Sequence, residues 1–244
     1  GNALGSNITN ITLVLGATAF LLPLAVPKPL IARELPMLVI VSICVCLLAI
    51  RGSFDLIAGV TLLGALPLVL YYLVRNQEKS EGAIEITQHK LGTAVTLTIG
   101  SLLVLIGSSK VLVWGAVELA RQFGVSELII GLTIIAIGTS LPELAASVAS
   151  ALKNNTDMAL GTVIGSNLFN FLGVIGLAAV ISPFAIENDV YSRDLPWTVG
   201  VTVLLFLFSR FSSKQEINRT HGLLFLLLYV SYLWNILAMI APNS

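Results

Sequence analysis

Long apolar runs constrain this chain more than any other feature of its sequence. Eight segments have a length and composition suited to crossing a bilayer, which takes about 20 apolar residues in an α-helix. Because the hydrocarbon core offers the backbone no hydrogen-bonding partners, such segments are expected to be helical. The expected spans are residues 3–22, 36–50, 54–74, 92–119, 127–150, 158–180, 196–212 and 222–241.

The composition excludes a soluble globular domain. Charged residues make up 11% of the chain and apolar residues 56%, whereas a soluble domain has about 25% charged residues to cover its surface. The formal net charge is zero, so nothing indicates binding to nucleic acid, and no prosthetic group is expected. The sequence therefore predicts an all-α, multi-pass integral membrane protein whose partner is the lipid bilayer.

Basic residues are distributed unevenly between the two alternating sets of loops. One set contains only Arg51, Arg121 and Arg193. The other set contains Lys28, Arg33, Arg75, Lys79, Lys90, Lys153, Arg210, Lys214 and Arg219. Since cytoplasmic loops carry the excess of positive charge, the richer set, which includes the polar connection 75–91, is expected to be cytoplasmic. The short loops favour a prokaryotic plasma membrane.

The chain contains an internal repeat. Residues Gly1–Asn10 recur at an offset of 160 as Gly161–Asn170, and the same offset aligns Arg33–Pro36 with Arg193–Pro196. Counting the span that holds the first copy, five expected spans precede the second copy. Because five is odd, the copies enter the membrane from opposite sides, which is an inverted-topology repeat with sites expected near the midplane where the halves meet.

The repeat also predicts how the chain is organised. Residues 1–74 would hold three spans of the first repeat, residues 75–91 the linker, and residues 92–244 the five spans of the second repeat. Residues 92–157 have no counterpart before Gly1. The complete protein is therefore expected to have ten spans, five per half, of which eight are present here. A natural eight-span protein is the alternative.

Glu143 follows Pro142 in the middle of the expected span 127–150. A carboxylate at membrane depth is costly unless it is paired, solvated or bound to a cation. One interpretation is a cation site. The alternative is a kinked helix in which Glu143 pairs with a neighbour such as Lys110.

Oxygen-bearing groups surround this carboxylate along the chain. Pro142 removes a helical hydrogen bond, which loosens the carbonyl groups around Ala136–Gly138, and Thr139 and Ser140 add two hydroxyl groups. Carboxylate, hydroxyl and carbonyl oxygens are the hard ligands that Ca²⁺ prefers. The segment therefore has the chemistry of a Ca²⁺ or Na⁺ site.

Each copy of the repeat also contains a serine and two asparagines in an apolar helix. These are Ser6, Asn7 and Asn10, and Ser166, Asn167 and Asn170. The serine and the last asparagine are four residues apart and share a helix face, which we expect to point inward. The neighbouring Gly1, Gly5, Gly161 and Gly165 are expected to allow close helix approach. Packing alone is the alternative interpretation of these polar residues.

Together these motifs resemble those of a known family. The segment Gly138-Thr-Ser-Leu-Pro-Glu143, followed by Gly161-x-x-x-Gly-Ser-Asn-x-x-Asn170, is similar to the second α-repeat of the cation/Ca²⁺ exchanger superfamily. Gly1–Asn10 is similar to the back half of the first. The resemblance covers essentially the whole chain, and it is nearest to prokaryotic sodium/calcium exchangers of the bacterial inner-membrane type without their first two helices.

The resemblance implies a site built from both halves. Glu143 would be one of two central carboxylates, with the partner carboxylate expected from a missing N-terminal segment. The remaining oxygens would come from Thr139, Ser140, the carbonyl group of Ala136, Ser166, Asn170, Ser6 and Asn10. Some relatives have aspartate at the position of Asn170, and the neutral asparagine makes coupling to potassium less expected.

The expected function is antiport of Ca²⁺ against Na⁺ by alternating access, with broken helices around Gly138 and Gly165 holding the site. The chain is not expected to be an enzyme. A Ca²⁺/H⁺ antiporter of the same fold is one alternative. A cation channel or a non-transporting membrane scaffold is an alternative from another class. The inverted repeat favours the antiporter, because alternating access requires two related gates.

Overall fold

The computed structural model describes residues 2–75, 91–125, 130, 134–212 and 214–240, which are almost wholly helical. The helices are α1 (Asn2–Leu21), α2 (Leu30–Ala49), α3 (Leu56–Arg75), α4 (Leu91–Gln122), α5 (Ala136–Thr139), α6 (Leu141–Leu152), α7 (Thr156–Ile181), α8 (Val190–Phe211) and α9 (Arg219–Ile240). Within the described residues, seven helices are long and apolar enough to cross a membrane. These are all except α5 and α6, so seven of the expected spans are confirmed.

Two of the confirmed spans begin earlier than expected. Helices α2 and α8 start at Leu30 and Val190, each six residues before the proline where the predicted span begins. In both, a π-helical turn precedes the proline, which then lies in the first turn of the regular α-helix. Proline is tolerated there because the first N–H groups of an α-helical segment lack intrahelical partners.

The expected span 127–150 lies partly outside the described residues. Its described part consists of α5 and α6, which are separated at Ser140, where the backbone leaves the helical region (φ −100°, ψ 3°). The predicted break near Gly138 is therefore confirmed. The predicted break at Gly165 is wrong, because α7 continues through this residue as a regular α-helix as far as Phe169.

Four two-residue strands, which the sequence did not indicate, connect the loops. These are β1 (Leu24–Ala25), β2 (Ser53–Phe54), β3 (Phe184–Ala185) and β4 (Glu216–Ile217). β1 pairs antiparallel with β4, and β2 pairs antiparallel with β3. The loop after α1 therefore lies at the same end as the loop before α9, and the loop after α2 lies with the loop after α7. Helices α1 and α7 consequently run in opposite directions, as an inverted repeat requires.

The chain forms two compact units. The larger comprises residues 1–76 and 143–244, and the smaller residues 77–142. In the larger unit, α2 packs against α8, α3 packs against the second half of α7, and α9 packs against the second half of α1. The last helix of each half thus packs against the Ser-Asn helix of the other half: α3 against α7, and α9 against α1.

Two glycines make these crossed helix contacts possible. A Cβ atom at Gly59 would lie 2.8 Å from the backbone nitrogen of Val180, and one at Gly222 would lie 2.5 Å from that of Phe20. The glycines expected to fill this role do not do so. A Cβ atom at Gly5, Gly161 or Gly165 would meet none of the described residues within 4 Å, and Gly1 lies outside the described residues.

The smaller unit contains α4 and α5. The side chain of Val113 on α4 fills the space beside Gly138 on α5. Most apolar side chains of α4 are exposed, among them Leu103 and Trp114, as expected for a helix in lipid. The predicted linker 75–91 lies almost entirely outside the described residues, and the division of the chain into repeats 1–74 and 92–244 stays a prediction.

Candidate functional site

Two asparagines join the centres of α1 and α7. Asn7 and Asn167, which occupy equivalent positions in the two repeats, are both fully buried. The Nδ2 of Asn7 donates to the carbonyl oxygen of Asn167 at 3.3 Å, and the Nδ2 of Asn167 donates to the carbonyl oxygen of Asn7 at 3.2 Å. These reciprocal bonds place the pseudo-two-fold axis of the repeat between the two residues.

The second pair of asparagines bonds across this axis. The Nδ2 of Asn10 donates to Oδ1 of Asn167 at 3.0 Å and to Oγ of Ser166 at 3.2 Å. In the equivalent place, the Nδ2 of Asn170 donates to Oδ1 of Asn7 at 2.9 Å. The structure thus brings together three of the predicted site residues, Asn10, Ser166 and Asn170. Ser6, half-buried, lies one helical turn before Asn10 on α1.

Both helices change geometry at the outer asparagine. The α-helical part of α1 ends at Thr9 and a π-helical segment starts at Asn10, while α7 changes in the same way after Phe169. Extra residues in a π-helical turn weaken the regular backbone hydrogen bonding, and such segments are frequent at functional sites. The repeat thus places one such irregularity in each half at the membrane centre.

Glu143 lies in the first turn of α6. Four residues later on the same face, Ser147 donates its hydroxyl hydrogen to the carbonyl oxygen of Ala159 on α7 at 3.3 Å. Because residues four apart share a helix face, Glu143 lies on the same face of α6 as Ser147. Its Oε2 atom is buried and has no hydrogen-bond partner among the described residues.

Asn10 carries a second buried acceptor of this kind. Its Oδ1 is buried, and the described part of the chain provides no hydrogen-bond partner for it. A buried carboxylate or amide oxygen without a partner is unfavourable, because its desolvation is not compensated. Coordination of a cation would compensate this cost, so Oε2 of Glu143 and Oδ1 of Asn10 are candidate ligands.

Three of the predicted ligands belong to the smaller unit. Ala136 and Thr139 lie on α5, and Ser140 occupies the break between α5 and α6. Ser140 is buried, and its backbone N–H donates to the carbonyl oxygen of Ile137 at 3.0 Å. That these oxygens join those of Glu143 and the asparagines stays a prediction.

The donor set favours a hard cation. In the described residues, no three His, Cys, Asp or Glu side chains come together as a metal site. The available groups are one carboxylate, amide oxygens and hydroxyl oxygens, which suit Na⁺ or Ca²⁺ rather than a transition metal.

The sequence did not indicate a separate role for the two inner asparagines. Asn7 and Asn167 were grouped with Asn10 and Asn170, and only the fold shows that the inner pair bonds across the axis to the other helix. A buried charged group was also missed. Asp194 accepts hydrogen bonds from Arg193 at 2.7 Å and from the Tyr232 hydroxyl at 3.1 Å. The repeated Arg-acid-Leu-Pro motif was the available signal.

These features define a class of protein. Apolar helices with exposed outward side chains, two inverted halves and a polar centre at the crossing of irregular helices describe a membrane transporter rather than an enzyme. Ile57 and Trp234, for example, are 67% and 73% exposed, which fits contact with lipid.

Comparison with known proteins identifies the family. Residues 1–75 and 93–238 match the sodium/calcium exchanger protein family, and the chain belongs to it. The protein CaxA of Alkalimonas amylolytica is 42% identical over 243 residues, which cover 95% of this chain and 76% of CaxA. The inner membrane protein YrbG of Escherichia coli (strain K12) is 38% identical over 226 residues, or 88% and 70% of the two chains.

A solved structure has the same fold. The sodium-calcium exchanger NCX_Mj, studied after soaks that varied its Na⁺, Ca²⁺ and Sr²⁺, superposes with a TM-score of 0.81. It shares 33% sequence identity, and the match covers 95% of this chain and 74% of that one. The expected all-helical membrane fold and the cation/Ca²⁺ exchanger class are therefore confirmed.

Proposed function

We propose that this protein exchanges Ca²⁺ for Na⁺ across a membrane by alternating access. The ions would compete for a central set of oxygens, so that one leaves as the other enters. The observation that carries the proposal is that Oε2 of Glu143 and Oδ1 of Asn10 are buried without a hydrogen-bond partner among the described residues, while Asn10 bonds to Ser166 and Asn167 of the other half.

The proposed ligands come from four helical segments. Glu143 supplies the carboxylate. The neutral oxygens come from Ser6, Asn10, Ser166, Asn170, Thr139, Ser140 and the carbonyl group of Ala136. Ca²⁺ takes six to eight oxygen ligands, so a set of this size can replace its hydration shell.

Charge decides how tightly such a set can hold Ca²⁺. Two carboxylates would nearly neutralise the ion, whereas Glu143 alone leaves a net charge of +1 in a medium of low dielectric. The partner carboxylate expected from the repeat lies outside this sequence and stays a prediction.

Sodium is the proposed counter-ion. Na⁺ is coordinated by oxygens of the same kind as Ca²⁺. Most of the proposed ligands are neutral oxygens, which can coordinate Na⁺ but do not take up a proton. Relatives support this choice, since NCX_Mj and the MaX1 protein of Methanosarcina acetivorans are both named as sodium/calcium exchangers. The site of action is proposed to be a prokaryotic inner membrane, with the loop 75–91 on the cytoplasmic side.

Transport in proteoliposomes separates the two counter-ions. Vesicles containing the full-length exchanger would be loaded with Na⁺ in one experiment and with acid but no Na⁺ in another. We expect uptake of ⁴⁵Ca²⁺ to follow the Na⁺ gradient and not the pH gradient. Uptake driven by the pH gradient alone would establish proton coupling instead, and unitary currents without counter-transport would establish a channel.

Substitution of the carboxylate tests the site. Glu143→Gln keeps the shape of the side chain but removes its charge, whose attraction to a divalent ion at about 4 Å and an effective dielectric near 20 is about 8 kcal/mol, roughly half of it offset by desolvation of the carboxylate. We expect Ca²⁺ affinity to fall about a thousandfold, measured by equilibrium ⁴⁵Ca²⁺ binding. The matched control is Glu187→Gln, the same change at an exposed loop position, which should leave affinity unchanged. Tight Ca²⁺ binding by the folded Glu143→Gln protein would refute the assignment.

A further inference from the structure

We propose that Asn7 and Asn167 are positioning residues, each of which orients the ion-binding oxygen of an asparagine in the opposite half. Asn7 would orient Asn170, and Asn167 would orient Asn10. The inference rests on the proposed function, because it takes Asn10 and Asn170 as ligands of the ion.

The inner asparagines are not themselves available to an ion. Each donates its Nδ2 to a backbone carbonyl oxygen of the other helix and accepts, at its Oδ1, the Nδ2 of the opposite outer asparagine. Both ends of each carboxamide are therefore engaged, and both side chains have no exposed surface. Their contacts are with other amides of the centre and not with an open space.

The outer asparagines are oriented by these bonds. A carboxamide has two ends of nearly equal size, one with an acceptor oxygen and one with two N–H donors. When Nδ2 is held by an inner asparagine, Oδ1 must point the other way. In Asn10 this oxygen is the buried one for which the described residues provide no partner. A cation requires the oxygen, and a reversed amide would present N–H groups to it.

The bonding pattern is crossed between the halves. Asn10 and Asn7 are three residues apart on α1, but Asn10 is held by Asn167 on α7, whereas Asn7 holds Asn170. Each half thus sets the orientation of the other half's ligand. The energetic coupling between substitutions should follow these bonds and not the helix on which a residue lies.

Double-mutant cycles on Ca²⁺ affinity test this pattern in the full-length exchanger. Asn7→Ala should weaken Ca²⁺ binding about tenfold, the equivalent of one net hydrogen bond. The double variant Asn7→Ala with Asn170→Ala should bind no more weakly than Asn170→Ala alone, because Asn7 acts through Asn170. The control pair, Asn7→Ala with Asn10→Ala, should come closer to the product of the two single effects, because no hydrogen bond joins these two side chains although they lie one helical turn apart.

A conservative variant distinguishes positioning from helix packing. Asn7→Asp keeps an oxygen that accepts from Asn170 but replaces the amide that donates to the carbonyl oxygen of Asn167. Positioning predicts that Asn7→Asp retains or raises Ca²⁺ affinity while Asn7→Ala lowers it. If Asn7 only binds the helices together, both variants should be equally impaired. This comparison still decides the matter if Asn7→Ala does not fold, because a folded Asn7→Asp protein with lost affinity contradicts positioning.

The possible results separate the two proposals. If Asn10→Ala and Asn170→Ala leave Ca²⁺ affinity unchanged, these residues are not ligands and the site proposed above is wrong. If those variants weaken binding but Asn7→Ala and Asn167→Ala do not, the site stands and the positioning role is wrong. Coupling between Asn7 and Asn10 as large as that between Asn7 and Asn170 would also overturn the crossed arrangement.

Discussion

The two halves of this exchanger agree at the membrane centre and differ at one end of the helices. At the centre, the four asparagines bond in pairs related by the repeat. At the start of α8, Asp194 is buried and accepts hydrogen bonds from Arg193 and Tyr232. The equivalent residue of the first half, at the same offset of 160, is Glu34, which is half-buried.

This difference separates two kinds of constraint. Each asparagine at the centre bonds to its equivalent in the other half or to a residue near that equivalent. A substitution in one half therefore alters hydrogen bonds of the other half. The hydrogen bonds that Asp194 accepts from Arg193 and Tyr232 join α8 to α9 within the second half. The predictions that follow compare equivalent positions in the two halves.

The largest effect is expected at the two glycines of the crossed helix contacts. Gly59→Val and Gly222→Val would each force a side chain against the backbone of a facing helix. We expect each to lower the free energy of unfolding by more than about 3 kcal/mol, with a marked fall in the thermal unfolding temperature in detergent. Gly64→Val, on α3 where a Cβ meets nothing within 4 Å, is the control. A large difference between Gly59→Val and Gly222→Val would show that the halves do not pack equivalently.

A smaller and one-sided effect is expected at Asp194. Asp194→Asn replaces hydrogen bonds to a buried charge and should lower the free energy of unfolding by about 2 kcal/mol. Tyr232→Phe should lower it by about 1 kcal/mol. Glu34→Gln in the first half should cost less than either, because the carboxylate there is less buried. Thermal unfolding of the three variants measures the difference, with Tyr191→Phe at an exposed site as control. Equal losses for Asp194→Asn and Glu34→Gln would remove the proposed asymmetry.

The smallest effect is expected at the start of the last helix in each half. Asp55 accepts from the N–H of Ala58 at 2.8 Å, and Asn218 accepts from the N–H of His221 at 3.0 Å. Asp55→Ala and Asn218→Ala should each lower the free energy of unfolding by about 1 kcal/mol, because each removes the side chain that caps the N-terminus of the helix.

Asp55→Asn is the matched control for the cap. It keeps the capping oxygen and removes only an exposed ion pair with Arg51, so it should cost less than about 0.5 kcal/mol. If Asp55→Asn destabilises the protein as much as Asp55→Ala, the carboxylate charge and not the cap is important at this position.

Much of the fold could be predicted because lipid leaves few alternatives. In the hydrocarbon core, the backbone of an apolar segment must form its hydrogen bonds within the segment itself. The apolar pattern therefore indicated where most helices lie. The register of 160 residues indicated the inverted repeat, since an odd number of spans reverses direction. The helix break before Glu143 was predicted from Pro142, because proline lacks the N–H that would continue the helix.

Helix contacts could not be predicted in the same way. Gly5 and Gly165 looked suited to close packing, yet Gly59 and Gly222 lie at the contacts. In lipid, small residues permit close approach, but which of them meets another helix depends on where the helices cross. The sequence contains many glycines in apolar helices and does not say which pairs face each other.

The sequence by itself determined that this chain is an inverted-repeat membrane protein, and it predicted a central site at Glu143 and the two Ser-Asn clusters. These conclusions depend on composition, periodicity and repeat register, which are properties of the linear order of residues along the chain. Only the tertiary structure decided that Asn7 bonds to Asn170 and Asn167 to Asn10. The reason is geometric, because residues 163 or 157 positions apart become hydrogen-bonding partners only when α1 and α7 pack across the axis of the repeat.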